Sequence, residues 1–343
     1  MHNSDCKKGR RRWISLALFA LLCVIGNAIL NYALIPPSTV WLNLYNLDHG
    51  EQYDTLFIGT SHGQYCIDPQ AVDQETGGNS VSLCMADVYP NDMYYLLKLA
   101  CERQEIKTVV YELDSSYWIN TQRKGSTEIF FYKEFPVSRS KLEYFSDKIV
   151  KLDFLATLTP WMYYRNLYGN AISNIKLKQS DAYKGYDSSV LDIPLCQYRG
   201  QGFVYRERFE GENKRTFNNI PWDRNQVKEL ATDYFDRIVM FCQENDIQLI
   251  VITTPVPSDT TQEFAEQYQD AHLYFEELMM GYELAYYDFN TLKPELIDRS
   301  MTGYWDYDGH MDGVQAEEFS GLLGKMLKEL SEGSFQQENY FVD

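Results

Sequence analysis

Short apolar runs alternate with amphipathic stretches along most of this chain, and that alternation narrows the fold more than any other feature. Five runs read as strands: 56–58, 79–85 (NSVSLCM), 107–114 (KTVVYELD), 247–257 (IQLIVITTPVP) and 283–290 (ELAYYDFN). Helical periodicity fills the gaps at 90–104, 223–245 and 260–282, and again at 314–331. Strands that alternate with helices build a parallel sheet covered on both faces. The expected fold is α/β, a three-layer α/β/α arrangement around a mainly parallel five-stranded sheet. The body then spans 54–331, with a short tail at 332–343. Residues 119–220 break the rhythm and read as an insertion, helical over about 140–177 and irregular elsewhere.

The N-terminus carries a different signal. Trp13 to Ile35 is 23 residues without a charge, preceded by Lys7, Lys8, Arg10, Arg11 and Arg12. About 20 apolar residues span a bilayer, and a basic flank stays in the cytoplasm. The expected layout is a basic tail at 1–12, a transmembrane anchor at 13–35 and a connector at 36–53. Residues 37–343 then lie outside the cytoplasmic membrane. Asn27 and Asn31 weaken the second half of the span. A secretory signal cleaved near Gly26-Asn27-Ala28 is the alternative. The anchor is preferred because the apolar stretch runs on past that point to Pro36.

Charge weighs against two classes of partner. The net charge is −18, and the first twelve residues hold +4, which leaves −22 on the rest. Such a body is expected to repel nucleic acid and anionic lipid surfaces. Of seven cysteines, Cys6 and Cys23 fall in the tail and the span. The other five show no zinc spacing and read as buried small hydrophobes, Cys66 among them, with one disulfide open.

In open α/β sheets ligands sit at the carboxyl ends of the strands. After the first strand comes FIGTSH, which places Gly59, Thr60, Ser61 and His62 there. Gly59 reads as a tight bend. Before the last helix comes YWDYDGHMDGVQAEEFS, with Asp306, Asp308 and His310. A hydroxyl becomes a nucleophile when an imidazole takes its proton, and a carboxylate on the far nitrogen fixes the tautomer. Ser61, His310 and one of Asp306 or Asp308 supply those parts. His62 lies beside the serine and reads as a locally bonding residue. Glu112 and Asp114, at the end of the third strand, read as solvated carboxylates, and Asp288 and Asn290 likewise. Asp306, Asp308 and Glu317 fall at positions 1, 3 and 12 of a calcium loop, but Met311 stands where that loop demands glycine. No metal site is expected. The tyrosines of the insertion read as core packing rather than a platform for sugar rings.

The pair of blocks, FIGTSH and DYDGHMDGVQAEEFS, resembles the SGNH/GDSL hydrolase superfamily. The layout is most similar to its membrane-anchored extracytoplasmic members, such as the teichoic-acid D-alanyl transfer protein and the alginate O-acetylation proteins. The resemblance covers 54–118 and 222–331. It implies acyl transfer or ester hydrolysis on an envelope polysaccharide or a small ester, no cofactor, and a membrane-bound O-acyltransferase as partner. Asp308 matches the Asp-x-His spacing of the alginate-type members, with Asp306 as the alternative. Two departures stand out. The superfamily donates a glycine and an asparagine to its oxyanion hole, and SLCMADVYP and ELDSSYW offer neither. That leaves the backbone N–H of Ser61 or His62, with His62 and Asp114 as side-chain candidates. A non-catalytic module that binds glycan or a membrane partner is the rival expectation.

Overall fold

The computed structural model describes residues 2–122, 131–210, 217, 219 and 221–342. Helix α1 (His2–Leu34) leads into α2 (Thr39–His49). Strand β1 (Thr55–Ile58) is followed by α3 (Ser61–Cys66) and α4 (Pro69–Thr76), then β2 (Ser80–Ser82), α5 (Pro90–Arg103) and β3 (Thr108–Glu112). After the insertion, which holds a hairpin of β4 (Cys196–Gly200) and β5 (Phe203–Arg206), come α6 (Glu229–Glu244) and β6 (Gln248–Thr253). The chain closes with α7 (Ala265–Gly281), β7 (Ala285–Asp288) and α8 (Gly313–Glu332).

The sheet has the order β2-β1-β3-β6-β7, and every neighbouring pair is parallel. The α/β class and five-stranded sheet expected from the sequence are therefore present. Strands buried on both faces read as continuous apolar runs, and β3 and β6 do. Successive residues feed opposite layers. Leu56, Ile58, Val109, Tyr111 and Val251 join a core with Leu97 of α5, Phe235 of α6 and Phe275 of α7. Phe57, Val110, Ile250 and Ile252 join a second core with Val72 of α4 and Phe319 and Leu323 of α8. The strand order reverses between β1 and β3, so the connections that leave their carboxyl ends run to opposite sides of the sheet and leave a crevice between them.

Three sequence expectations change. The connector is mostly helix: α2 is capped by Ser38 Oγ, which accepts the Trp41 N–H at 3.3 Å, and it buries Val40, Leu44 and Leu47 at helical spacing. Helix α6 starts only at Glu229, so Leu230 is left exposed while Phe235 and Ile238 are buried. The irregular half of the insertion contains the β4–β5 hairpin. Its turn lies on edge strand β2: the Ser82 N–H donates to Gln201 O at 2.7 Å, and Gln201 Nε2 donates to Ser80 O at 2.8 Å. An edge strand exposes unpaired backbone groups, and this turn covers some of them.

Among the described residues one helix, over Arg11–Leu34, is long and apolar enough to cross a membrane. The body grips its second half. Asn27 Nδ2 donates to Leu158 O at 2.7 Å, and the Trp161 indole donates to Asn27 Oδ1 at 2.9 Å. The Trp161 N–H donates to Asn31 Oδ1 at 3.0 Å. The two asparagines that weaken the apolar stretch are thus bonded to the insertion. Cys23, Cys66, Cys84, Cys101, Cys196 and Cys242 are free thiols.

Gly202 sits at φ +97°, and a Cβ there would lie 2.0 Å from Ser82 O. Gly202→Ala should lower stability by about 1–3 kcal/mol, as overpacking does. Urea unfolding checks this, and an unchanged midpoint would mean that the hairpin does not hold the sheet edge.

Candidate active site

Ser61 is the first residue of α3, and its placement is set from β3. The Glu112 Oε2 accepts both the Thr60 N–H at 2.8 Å and the Thr60 hydroxyl at 3.0 Å. Thr60 Oγ1 in turn accepts the His62 N–H at 3.3 Å and so caps α3. Gly59 makes room for this. Its φ is not positive; instead a Cβ there would lie 2.5 Å from Glu112 Cβ and 2.6 Å from Glu112 Oε2. The reason for the glycine is close approach of a neighbouring strand, not the tight bend read from the sequence.

His310 arrives from the other side, in the loop before α8. Asp306 Oδ1 accepts the N–H groups of Gly309 and His310, both at 3.1 Å. Asp306 Oδ2 lies 2.7 Å from His310 Nδ1. His310 Nε2 lies 2.8 Å from Ser61 Oγ. Burial raises the Asp306 pKa, but the hydrogen bonds and charge of His310 outweigh it, and the net direction is down. An ionised Asp306 fixes the proton on Nδ1. Nε2 is then free to accept the serine proton, which is the tautomer that a general base needs.

The structure brings together Ser61, His310 and Asp306. It does not bring Asp308 to His310. That carboxylate turns toward the insertion, where Asp308 Oδ1 accepts the Asn219 N–H at 3.3 Å. The preference for Asp308 is corrected here, and the cause is local. The loop folds around Asp306, whose one oxygen bonds two successive amides and whose other oxygen is thereby aimed at the ring.

His62 is buried, and its Nδ1 lies 3.3 Å from Asp114 Oδ2. Asp114 Oδ1 accepts the Ser116 N–H at 2.9 Å and its hydroxyl at 2.7 Å. The His62 ring stands 4.7 Å from the His310 ring. His62 and Asp114 also line a cavity of about 50 Å³, together with Trp222, Thr254, Val256 and Tyr268. Glu112 and Asp114 are both buried, so the solvated reading of these carboxylates is corrected; Thr60 binds the first, and His62 and Ser116 the second. Burial raises the Glu112 pKa, and the charge of Asp114 adds to this. Glu112 Oε1 has no partner among the described residues.

The remaining candidates find structural partners. Cys66 is buried and donates to Gly309 O at 3.5 Å, and burial pushes its thiol pKa up, away from the reactive thiolate. Asp288 lies 3.0 Å from His272 Nδ1, and Asn290 Oδ1 accepts the Val256 N–H at 2.9 Å. Glu317 pairs with Arg199 at 3.1 Å, away from Asp306 and Asp308. Tyr183 and Tyr186 stack on Trp41 at 4.6 and 4.7 Å. Sequence reasoning missed Arg206. The hairpin places its guanidinium 3.4 Å from the Tyr65 ring centre and 4.8 Å from that of Trp305, and Tyr65 meets the His310 ring edge-on at 5.7 Å. Only the hairpin, itself unread, could have signalled it.

No protein-family model matches the chain, and no curated protein aligns with it significantly.

Glu112 gives a pH test. Its folded pKa lies above the ordinary value of 4.5, so its contribution to stability is complete below about that pH and is lost as pH rises through the folded pKa. In thermal melts from acid to neutral pH, the wild type should lose stability relative to Glu112→Gln. Parallel profiles would show that Glu112 is not held protonated.

Proposed function

We propose that this chain is an extracytoplasmic, membrane-anchored serine esterase or O-acyltransferase of the SGNH-like kind. Its substrate would be a cell-envelope glycan or a small ester. The observation that carries the reading is the unbroken relay of 2.8 Å from Ser61 Oγ to His310 Nε2 and 2.7 Å from His310 Nδ1 to Asp306. Ser61 Oγ attacks the ester carbonyl as His310 takes its proton. The tetrahedral intermediate collapses, the alkoxide leaves with that proton, and the acyl group stays on Ser61. Water or an acceptor hydroxyl then repeats the cycle in reverse, with His310 again as base. No cofactor is required for these steps.

The oxyanion needs donors. As the first residue of α3, Ser61 has no intrahelical acceptor for its N–H. His62, gripped by Asp114, stands beside the relay and is the side chain suited to replace the missing glycine and asparagine. The partner class that fits is a membrane-bound O-acyltransferase supplying the acyl group. The basic flank supports a cytoplasmic N-terminus. Retention of the anchor is supported by the bonds that Asn27 and Asn31 make to the body, because cleavage after Ala28 would remove one of the two.

A second reading keeps one specific observation on its side. Met85 and Ala86 follow β2 and Asp114 follows β3, so neither superfamily oxyanion donor is present, as in a module that binds without turnover.

A fluorophosphonate probe should label Ser61, and Ser61→Ala should abolish labelling. Asp306→Asn should cut the rate of ester hydrolysis by about 10⁴-fold, the scale seen when a triad acid is lost. Asp308→Asn should cost far less. The Ser61→Ala/His310→Ala double variant should be scarcely worse than either single variant, since such residues act as a unit. A folded wild type that neither labels nor turns over esters would leave the binding module. For topology, protease added to intact cells should digest the body; a protected body would reverse the orientation.

A further inference from the structure

Asn27 fixes a depth. Counted from Trp13, a hydrocarbon core of about 30 Å takes about 20 residues, which puts its far boundary near residue 32. Asn27 then lies roughly 8 Å inside that boundary, at about 1.5 Å per residue. Ending the span at Gly26 instead would leave only about 14 residues, or about 21 Å, too short to cross. Whatever bonds to Asn27 must therefore sit at that depth, and Leu158 and Trp161 of the insertion do so. Higher up, Asn174 Nδ2 donates to Ala33 O at 3.2 Å, and Lys178 Nζ donates to Ile35 O at 2.5 Å and Tyr32 O at 2.8 Å. The ammonium thus satisfies carbonyls at the carboxyl end of α1, where a cation is favoured.

The surface beside these contacts has the composition of a membrane-interface element. Helical segments cover Val150–Leu158, Pro160–Asn170 and Ala171–Gln179. They expose Phe154, Leu158, Met162, Leu167, Tyr168 and Ile172, with Tyr168 at 78% and Ile172 at 69%. Such a patch on a water-facing surface would be costly. Residues 150–179 carry Lys151, Arg165, Lys176 and Lys178 against Asp153, a net +3 on a body of −22. Local positive charge beside an apolar, tyrosine-bearing surface suits anionic phospholipid headgroups.

We propose that residues 150–179 form a foot embedded in the outer leaflet against α1, its apolar side in the acyl chains and Lys151, Arg165 and Lys176 at the phosphates, while Lys178 is held by α1. This rests on the reading of α1 as a retained membrane span. The foot makes the protein a wedge with two inserted parts rather than a body on one helix.

Full-length protein in vesicles of phosphatidylglycerol and phosphatidylethanolamine tests this, with a benzophenone amino acid placed singly at Leu158, Met162, Leu22 or Leu273. Leu22 reports the span, and Leu273 on α7 is the solvent control. Lipid adducts at Leu158 and Met162 should match those at Leu22 and exceed those at Leu273 several-fold. Adducts at Leu22 with none at Leu158 or Met162 would overturn the foot and leave the anchor. No adduct at Leu22 would overturn both. Crosslinks from Leu158 and Met162 to another protein instead of lipid, in native membranes, would overturn the lipid in favour of a protein neighbour.

Discussion

A buried carboxylate holds the start of the candidate site in place. Glu112 ends β3, yet its oxygen binds both donors of Thr60, which belongs to the turn after β1. The parallel register that sets Ile58 opposite Tyr111 brings the two strand ends level. Gly59 then lets the Glu112 side chain pass across the backbone. Thr60, once fixed, caps α3 and presents Ser61. Two residues further along, Asp114 grips His62 by the same logic. One strand end therefore positions two of the neighbouring polar side chains, and the sheet's hydrogen bonds are their common reference.

The other half is built independently. The loop before α8 folds on Asp306, and Asp312 both caps α8, by accepting the Gln315 N–H, and binds Arg208 of the insertion at 2.7 Å. His310 is held between these two acids in sequence. The halves meet at the point where strand order reverses, so they need no covalent proximity: Ser61 and His310 are 249 residues apart.

Much of this was legible because it depends on local pattern. Apolar runs such as LIVIT at 249–253 can only be buried on both faces, so the sheet could be read. Ser61 and His310 could be read because strand ends in such sheets are where ligands sit, and few residues there have the right chemistry. The acid could not, because spacing from His310 does not reveal which carboxylate the backbone amides capture. Glu112 looked solvated because alternation along β3 does not show that Thr60 will cover its end. The hairpin was missed because its reason for existing, the open edge of β2, lies more than a hundred residues away. Asn27 and Asn31 looked like flaws in an apolar stretch for the same reason, since Leu158 and Trp161 are no nearer in sequence.

The insertion touches α1 at one end and the sheet edge and Asp308 at the other, while α2 packs its Val40, Leu44 and Leu47 into the main core directly after the prolines that end α1. Residues 27–49 therefore act as a bracket rather than a tether. A body on a flexible leash sweeps a hemisphere, and its working face meets molecules at many heights and angles. If α1 spans a membrane as proposed, a bracketed body keeps one height and one tilt, so its working face would explore the surface only by drifting in the plane of the bilayer. Under the proposed function, molecules would reach it by standing at that height, and the length of a glycan chain or the stature of a neighbouring protein would become a criterion of selection before any chemistry begins.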